Sequence, residues 1–238
     1  MARMSYRGIT HTKVAKTKVA SRDFRLPTQA SRRRGGEAAR TTKTCGYFAP
    51  PEDWHEPTGE TGQSYKFIYQ SPGEGFRHVL TEEEIRARLN ELPSWMIEGL
   101  EVVQLSRLTR KKLSFPCYGM QWGAAIYLYP MDESLIEYFP HPPRPEQLVE
   151  ANMFGANWEE DADGYWRLEW TEETIKDFYL NNVLVHELGH LLDTRNNSYV
   201  ARERYAEWFA IEYGYRPSRR KQLAKRATQK VVRRHHRT

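Results

Sequence analysis

The chain has 238 residues, enough for one domain with a hydrophobic core and extensions at its ends. Hydrophobic residues make up 39% and charged residues 28%, a balance typical of globular proteins in water. No apolar run approaches the roughly 18 residues that span a bilayer, and no apolar segment follows the N-terminus. We therefore expect neither a membrane partner nor a secretory signal.

The net charge of +5 is distributed unevenly along the chain. Residues 1–45 hold 12 Lys/Arg and 2 Asp/Glu, and residues 216–238 hold 10 Lys/Arg and no acid, which leaves −15 for residues 46–215. This pattern predicts an extended basic N-terminal arm at 1–45, an acidic domain at 46–215 and a basic C-terminal tail at 216–238.

Basic blocks at chain ends are typical of arms that bind polyanions, so RNA, DNA or a nucleoprotein is a candidate partner of both ends. Two alternatives stay open: solvated, disordered tails, or tails that fold back on the acidic domain. Cys45 and Cys117 show no metal-ligand spacing, which favours a reducing, cytoplasmic or other intracellular compartment. The Arg-, Ser- and Thr-rich start also suits a mitochondrial transit peptide, which would place the protein in the mitochondrial matrix.

Local patterns in the middle of the chain predict alternating strands, helices and turns. In chain order they are a strand at 64–70, a helix at 81–92, strands at 100–109 and 118–130, a loop at 141–147, a hairpin at Asp163-Gly164, a helical stretch at 171–194 and a helix from Ser198 to Gly214. The two central strands are expected to pair antiparallel. This order predicts an α+β fold in which helices pack on a small, mostly antiparallel sheet.

The segment "HELGHLLD", 186–193, concentrates the chemistry of the predicted domain. His186 and His190 are four residues apart, so both imidazoles face one side of a helix that is apolar almost all round. Two histidines at this spacing can fill two positions of a tetrahedral Zn²⁺ site. A histidine pair satisfied only by carboxylates is the alternative.

Glu187 is rotated about 100° from His186 around the helix, so it flanks the metal position and does not point at it. Zn²⁺ lowers the pKa of a bound water to about 7, and a carboxylate placed here can take that water's proton and pass it to the leaving amine. Glu187 is therefore the candidate general base. Gly189 is expected to keep the substrate-facing side of the helix uncrowded.

Together, "HELGHLLD" and "ERYAEWFA", 203–210, resemble the gluzincins, zinc metallopeptidases with an HExxH helix and a glutamate as third ligand. The second segment looks like the Glu-x-aromatic-Ala-Glu-x-Phe-Ala pattern of the lethal-factor-like members. The resemblance covers roughly 100–214. It implies a zincin-like fold and peptide hydrolysis, with "AAIYLYP", 124–130, as the edge strand that aligns substrate.

The third ligand is open between Glu203 and Glu207, which lie four residues apart on one helix face. An antiparallel return after the turn places Glu203 level with His190 and Glu207 level with His186. This register favours Glu203 as ligand and Glu207 as a supporting carboxylate behind His186. Asp193 is a second candidate for that supporting role, with a plain helix-end charge as its alternative.

A hydroxyl or cationic donor is needed to stabilise the oxyanion, and Tyr199 is the candidate. The sequence thus predicts a zinc-dependent peptidase whose basic ends tether it to nucleic acid. One alternative is a non-enzymatic, nucleic-acid-associated structural protein built on a metallopeptidase fold. A regulatory peptidase with a single cellular target is another.

Overall fold

A computed structural model describes His55, Thr58 and residues 65–108 and 117–235. The strands are β1 (Lys66–Tyr69), β2 (Phe76–Arg77), β3 (Val102–Leu105), β4 (Gly119–Trp122), β5 (Ala125–Leu128), β6 (Met131–Asp132), β7 (Ile136–Phe139), β8 (Asn157–Glu160) and β9 (Trp166–Glu169). The α-helices are α1 (Glu82–Asn90), α2 (Pro145–Phe154), α3 (Glu172–Phe178), α4 (Leu184–Leu192), α5 (Tyr199–Phe209) and α6 (Arg216–His235). The fold is α+β, as predicted.

The central sheet has the strand order β1-β3-β5-β4. Strands β1, β3 and β5 are parallel, and only β4 runs antiparallel, against β5. The predicted antiparallel pairing of the two central strands is therefore wrong. The predicted strand at 118–130 is in fact the hairpin β4–β5, which turns at Gly123 with φ of +56°.

Two smaller antiparallel sheets complete the layer among the described residues, β2-β6 and β7-β9-β8. The hairpin predicted around Asp163-Gly164 is confirmed, because β8 and β9 pair across that turn and Gly164 has φ of +79°. Antiparallel pairs thus predominate in these outer sheets, whereas the central sheet is mixed.

Helix α1 begins as the sequence predicts. The Thr81 hydroxyl accepts from the Glu84 backbone N–H, and the Glu84 carboxylate accepts from the Thr81 backbone N–H. Helix α2 differs from the sequence prediction, because its first residues lie within the predicted loop at 141–147. It starts at Pro145 and ends at Gly155, whose φ of +80° closes the helix.

Two long helical runs carry the functional segments. Residues 172–192 form α3, a π-helical segment (Tyr179–Val183) and α4 without a break. The second run begins at Ser198, whose hydroxyl caps α5, but it does not end at Gly214 as predicted. It continues through a second π-helical segment (Ala210–Tyr215) into α6.

Gly214 is required for contact between these two runs. A Cβ at this buried position would lie 2.0 Å from the backbone oxygen of Asn181 in the first π-helical segment. The glycine therefore allows two backbones to approach closely, and does not end a helix.

The predicted C-terminal tail is helical from Arg216 to His235. The predicted N-terminal arm, 1–45, lies outside the described residues. Among the residues that the structure describes, none of the helices is both long and apolar enough to cross a membrane.

Candidate metal centre

Helix α4 is buried on nearly every side, as its sequence predicts. Leu184, Val185 and Leu188 have no measurable exposure, and His190 and Glu187 are 7% and 3% exposed. The rings of His186 and His190 lie one turn apart, with centroids 4.8 Å from each other and planes inclined by 79°. Both imidazoles are thus presented from a fixed, desolvated helix.

Helix α5 brings Glu203 to both imidazoles. Its Oε2 lies 3.5 Å from Nε2 of His186, and its Oε1 lies 3.5 Å from Nε2 of His190. The three residues form a group whose candidate ligand atoms all lie within 4.8 Å of one another. Glu203, which is 5% exposed, is therefore the carboxylate that joins the pair of histidines.

These distances suit a tetrahedral metal ion better than direct hydrogen bonds. Ligand bonds of 2.0–2.2 Å at tetrahedral angles place neighbouring ligand atoms roughly 3.3–3.6 Å apart. Nε2 of His190 is buried and makes no hydrogen bond with the residues that the structure describes. A buried imidazole nitrogen at this distance from a carboxylate is compatible with the donor set of a Zn²⁺ site.

Gly189 has a different part from the one predicted. A Cβ there would lie 2.9 Å from Cα of Ala206 and 3.0 Å from Cβ of Phe209, both in α5. The glycine therefore faces α5, not substrate. Its lack of a side chain lets α5 approach close enough for Glu203 to reach the histidines.

Glu187 faces the sheet, where it contacts the strand β4. A Cβ on Gly119 would lie 3.1 Å from Cγ and 3.2 Å from Oε1 of Glu187. Glu187 also lines a cavity together with His186. It thus flanks the histidine pair and does not join the three-residue group.

The edge strand next to this site is β4, which corrects the assignment of 124–130 to that position. Strand β5 lies inside the sheet between β3 and β4. Among the described strands, β4 is therefore the one that borders both the sheet edge and Glu187.

Comparison with models of protein families, with curated proteins and with solved structures found no match.

Glu207 lines the cavity beside His186, one turn after Glu203. Burial raises the pKa of Glu207, the positive field of His186 lowers it, and the Glu203 carboxylate raises it further. This position fits the predicted supporting carboxylate.

Asp193 ends α4 and holds the turn that follows it. Its Oδ1 accepts from the backbone N–H groups of Arg195 and Asn196, and both its oxygens accept from Nδ2 of Asn196. Burial acts to raise the pKa of Asp193, but these hydrogen bonds together lower it by more, so the pKa lies below its usual value. Asp193 therefore stabilises the turn at the end of the helix, which is the alternative role considered for it. Its support of the ligands stays a prediction.

Tyr199 begins α5, one turn before Glu203, and is 65% exposed. It is not part of the cavity lining, so its assignment as an oxyanion donor stays a prediction. Tyr205 and Tyr213 pack against Phe209 with ring centroids 6.0 and 4.7 Å away, which makes them core residues.

One carboxylate beside the site, that of Glu150, is not predicted from the sequence. Glu150, on helix α2, lines the cavity beside His186, and Nδ2 of Asn182 donates to its Oε1 at 2.6 Å. Burial raises the pKa of Glu150 despite this hydrogen bond. Pro145 at the first turn and Gly155 at the end of a ten-residue segment were the available signal for its helix.

Proposed function

We propose that the protein is a zinc-dependent peptidase with a zincin-like fold. The observation that carries the proposal is the position of Glu203, whose two carboxylate oxygens lie 3.5 Å from Nε2 of His186 and of His190, with Glu187 beside His186 in the cavity lining. The three would hold Zn²⁺, and their two nitrogens and one carboxylate match the donor set of catalytic zinc sites. When bound, Zn²⁺ polarises a substrate carbonyl and lowers the pKa of a water molecule.

Glu187 acts as the general base in this proposal. Its carboxylate takes a proton from the attacking water and delivers it to the nitrogen of the leaving amine. Its burial against β4 restricts the side chain to one side of the site, which is the side where substrate would lie.

Strand β4 supports an extended substrate. Among the described strands β4 pairs with β5 alone, and the face of β4 at Gly119 adjoins Glu187. Backbone groups of a peptide laid along this edge would bring a scissile bond next to Glu187.

The test combines metal content with turnover. The purified full chain is expected to bind one zinc ion and to cleave members of a mixed peptide library. Glu187→Gln should keep the zinc and lower kcat by about 10²- to 10⁴-fold. Glu98→Gln, an exposed turn residue, serves as the matched control. A zinc-free protein, or a Glu187→Gln variant with full activity, contradicts the proposal.

A single-target peptidase is separated from a general one by the same variant. Glu187→Gln loaded with zinc should retain one cellular protein in a pull-down if the enzyme has one target. Many proteins, each weakly retained, would indicate broad specificity.

A second proposal concerns α6, because its charge is of one sign and is openly displayed. Residues 216–238 hold 10 Lys/Arg and no acid, and each residue from Leu223 to Gln229 is exposed. We propose that this helix binds nucleic acid through phosphate contacts, either as the tether of the peptidase or, in the alternative, as the main activity of a structural protein.

Salt dependence tests this second proposal. DNA binding by the full chain should weaken steeply between about 50 and 200 mM salt. Replacing Arg220, Lys225 and Arg226 with Gln should weaken it and reduce its salt slope, whereas replacing three exposed cations elsewhere (Lys66, Arg107 and Arg204) should not. A structural protein without enzymatic activity would bind DNA as before and show no peptidase activity even with zinc.

A further inference from the structure

Two half-exposed tryptophans lie between the end of α1 and the second helical run. Trp95 follows α1, Trp208 lies on α5, and each is 47% exposed. Tyr213 contacts both, with its ring centroid 5.7 Å from that of Trp95 and 5.9 Å from that of Trp208. We call these three residues the aromatic patch. A contiguous exposed surface of this kind in a globular domain is typical of a binding site.

The aromatic patch rests on the core, so its rings have fixed orientations. Phe209, which has no measurable exposure, lies 4.7 Å from Tyr213 and 6.3 Å from Trp95, centroid to centroid. The planes of both tryptophans are nearly perpendicular to that of Tyr213, at 85° and 86°. Such edge-to-face contacts are favourable and hold the rings, while about half of each tryptophan stays open to solvent. A surface that is already ordered loses little entropy when it binds a partner.

The basic helix α6 begins beside the aromatic patch. Its Lys221 forms an ion pair with Glu91 at 2.8 Å, and Glu91 ends α1, four residues before Trp95. The positive charge of Lys225 also acts on Glu91, so both lysines lie on the side of α6 that faces the end of α1. Arg88 approaches the same carboxylate to 3.7 Å. Three cations around one carboxylate leave this cluster with a net positive charge.

Exposed rings beside cations match the chemistry of a single-stranded nucleic acid. Every base has a π face that can stack on an aromatic ring, and every phosphate carries a negative charge. A duplex offers its phosphates but not the faces of its bases, which are stacked on one another. A protein partner is a poorer match, because charged residues are depleted from the cores of protein interfaces, whereas residues 216–238 hold 10 Lys/Arg and no acid.

We propose that the aromatic patch and the first turns of α6 form a binding surface for single-stranded nucleic acid. Bases stack on Trp95 and Trp208, and exposed cations of α6 such as Lys225 contact phosphates of the same strand. Trp208 and Lys225 are roughly 25 Å apart along the helical run, a distance that several nucleotides span. This inference rests on the proposed nucleic-acid binding by α6 and names its ligand class.

The experiment measures binding of the full chain to labelled DNA of about 20 nucleotides, as a single strand and as the matching duplex, by fluorescence anisotropy. The native chain should bind the single strand about fivefold or more tightly than the duplex at the same salt concentration. Trp95→Leu and Trp208→Leu should each weaken single-strand binding about fivefold or more and change duplex binding by less than about twofold. Trp122→Leu alters a tryptophan of matched exposure, 48%, on β4 and should bind as the native chain does.

Salt dependence and a conservative substitution separate stacking from a general effect on the fold. Stacking releases no counterions, so the leucine variants should keep the native salt slope, whereas Lys225→Gln should reduce it. Trp95→Phe and Trp208→Phe keep an aromatic face and should recover most of the single-strand affinity. The preference of the native chain for the single strand tests the inference even where a leucine variant does not fold.

Three results overturn the inference. They are equal or tighter binding of the duplex by the native chain, native single-strand affinity in both leucine variants, and dissociation of a dimer by Trp208→Leu with single-strand binding unchanged. The last would assign the aromatic patch to an interface between two copies of the chain. In all three cases binding of DNA by α6 still stands. A native chain that binds neither single strand nor duplex contradicts the proposed nucleic-acid binding itself, and this inference with it.

Discussion

Helices α5 and α6 are parts of one continuous helical run, yet different forces position them. Glu203, Ala206 and Phe209 of α5 are buried against α4. From Leu223 to Gln229 α6 is exposed, and ion pairs such as that of Lys221 with Glu91, at 2.8 Å, hold its base. In α5, close packing fixes the position of each side chain of the site, so each residue matters individually. In α6, the exposed cations contribute mainly through their summed charge.

The join between the two helices should be the most sensitive position. Gly214→Ala would place Cβ 2.0 Å from the Asn181 backbone oxygen, which neither chain segment can avoid without moving. We expect the free energy of unfolding to fall by about 3 kcal/mol or more, measured by urea denaturation. In an exposed helix the same change would stabilise by about 1 kcal/mol, so a gain in stability would contradict the close approach.

The two carboxylates of α5 should separate next. Glu203→Gln removes the group that contacts both histidines and should weaken zinc binding more than about 100-fold, or about 2.7 kcal/mol. Glu207→Gln, which removes a supporting carboxylate, should weaken it by about 10- to 100-fold at most. Competition with a zinc chelator measures both. An equal loss of zinc affinity in the two variants, or a larger loss in Glu207→Gln, would contradict Glu203 as the ligand and favour Glu207.

Glu137 extends the comparison to a buried carboxyl away from the site. It accepts from the Tyr118 hydroxyl at 2.7 Å and from Nε1 of Trp170 at 3.3 Å. Burial raises the pKa of Glu137 to about 7, although these two hydrogen bonds oppose the rise. Below pH 4.5 the group is protonated in both folded and unfolded chains, so its burial has no pH-dependent cost there.

Between pH 4.5 and about 7 the folded chain keeps a proton that the unfolded chain releases, so the free energy of unfolding falls as pH rises. The loss, complete above pH 7, is on the order of 3 kcal/mol. Glu137→Gln removes this titration. Urea denaturation at pH 5 and pH 8 should therefore show a smaller decrease for the variant than for the native chain. Parallel pH profiles would refute the raised pKa.

The smallest effect is expected on α6. The pair Lys221–Glu91 is about half exposed on both sides, and the hydrogen bond from Lys221 lowers the pKa of Glu91. Lys221→Ala should cost less than about 1 kcal/mol, and added salt should remove the difference. A larger, salt-independent loss would show that this end of the helix is packed, not held by charge.

The sequence predicted which of these side chains meet better than it predicted the sheet. The HELGH and ERYAE segments each lie within one helix, so the 3.6-residue period alone places His186 and His190 on one helix face and Glu203 on the face of the next helix that meets it. Which element packs against each helix face depends on tertiary contacts that the local sequence does not show. Gly189 was accordingly assigned to the substrate side, and Glu150 was not found at all.

Strand pairing also depends on distant segments. The order β1–α1–β3 is a crossover unit, and such a unit places its two strands parallel. The sequence displayed this strand–helix–strand pattern at 64–109. The short link between the two predicted central strands suggested an antiparallel pair instead. Nothing local showed that residues 118–130 hold two strands, with β4 at the sheet edge and β5 between β3 and β4.

The unbroken helical run from α5 through α6 also sets the distance between Glu203 and the exposed basic residues of α6. At about 1.5 Å per residue, Thr228 lies roughly 37 Å along the axis from Glu203. Close backbone contact at Gly214 holds the middle of this run against the first helical run, so the segment between α5 and α6 cannot serve as a free hinge. If α6 binds a polyanion and the site cleaves peptides, as proposed, the polyanion would stand at a set distance from the scissile bond. Cleavage sites would then be selected by their position on an assembly as well as by their residues.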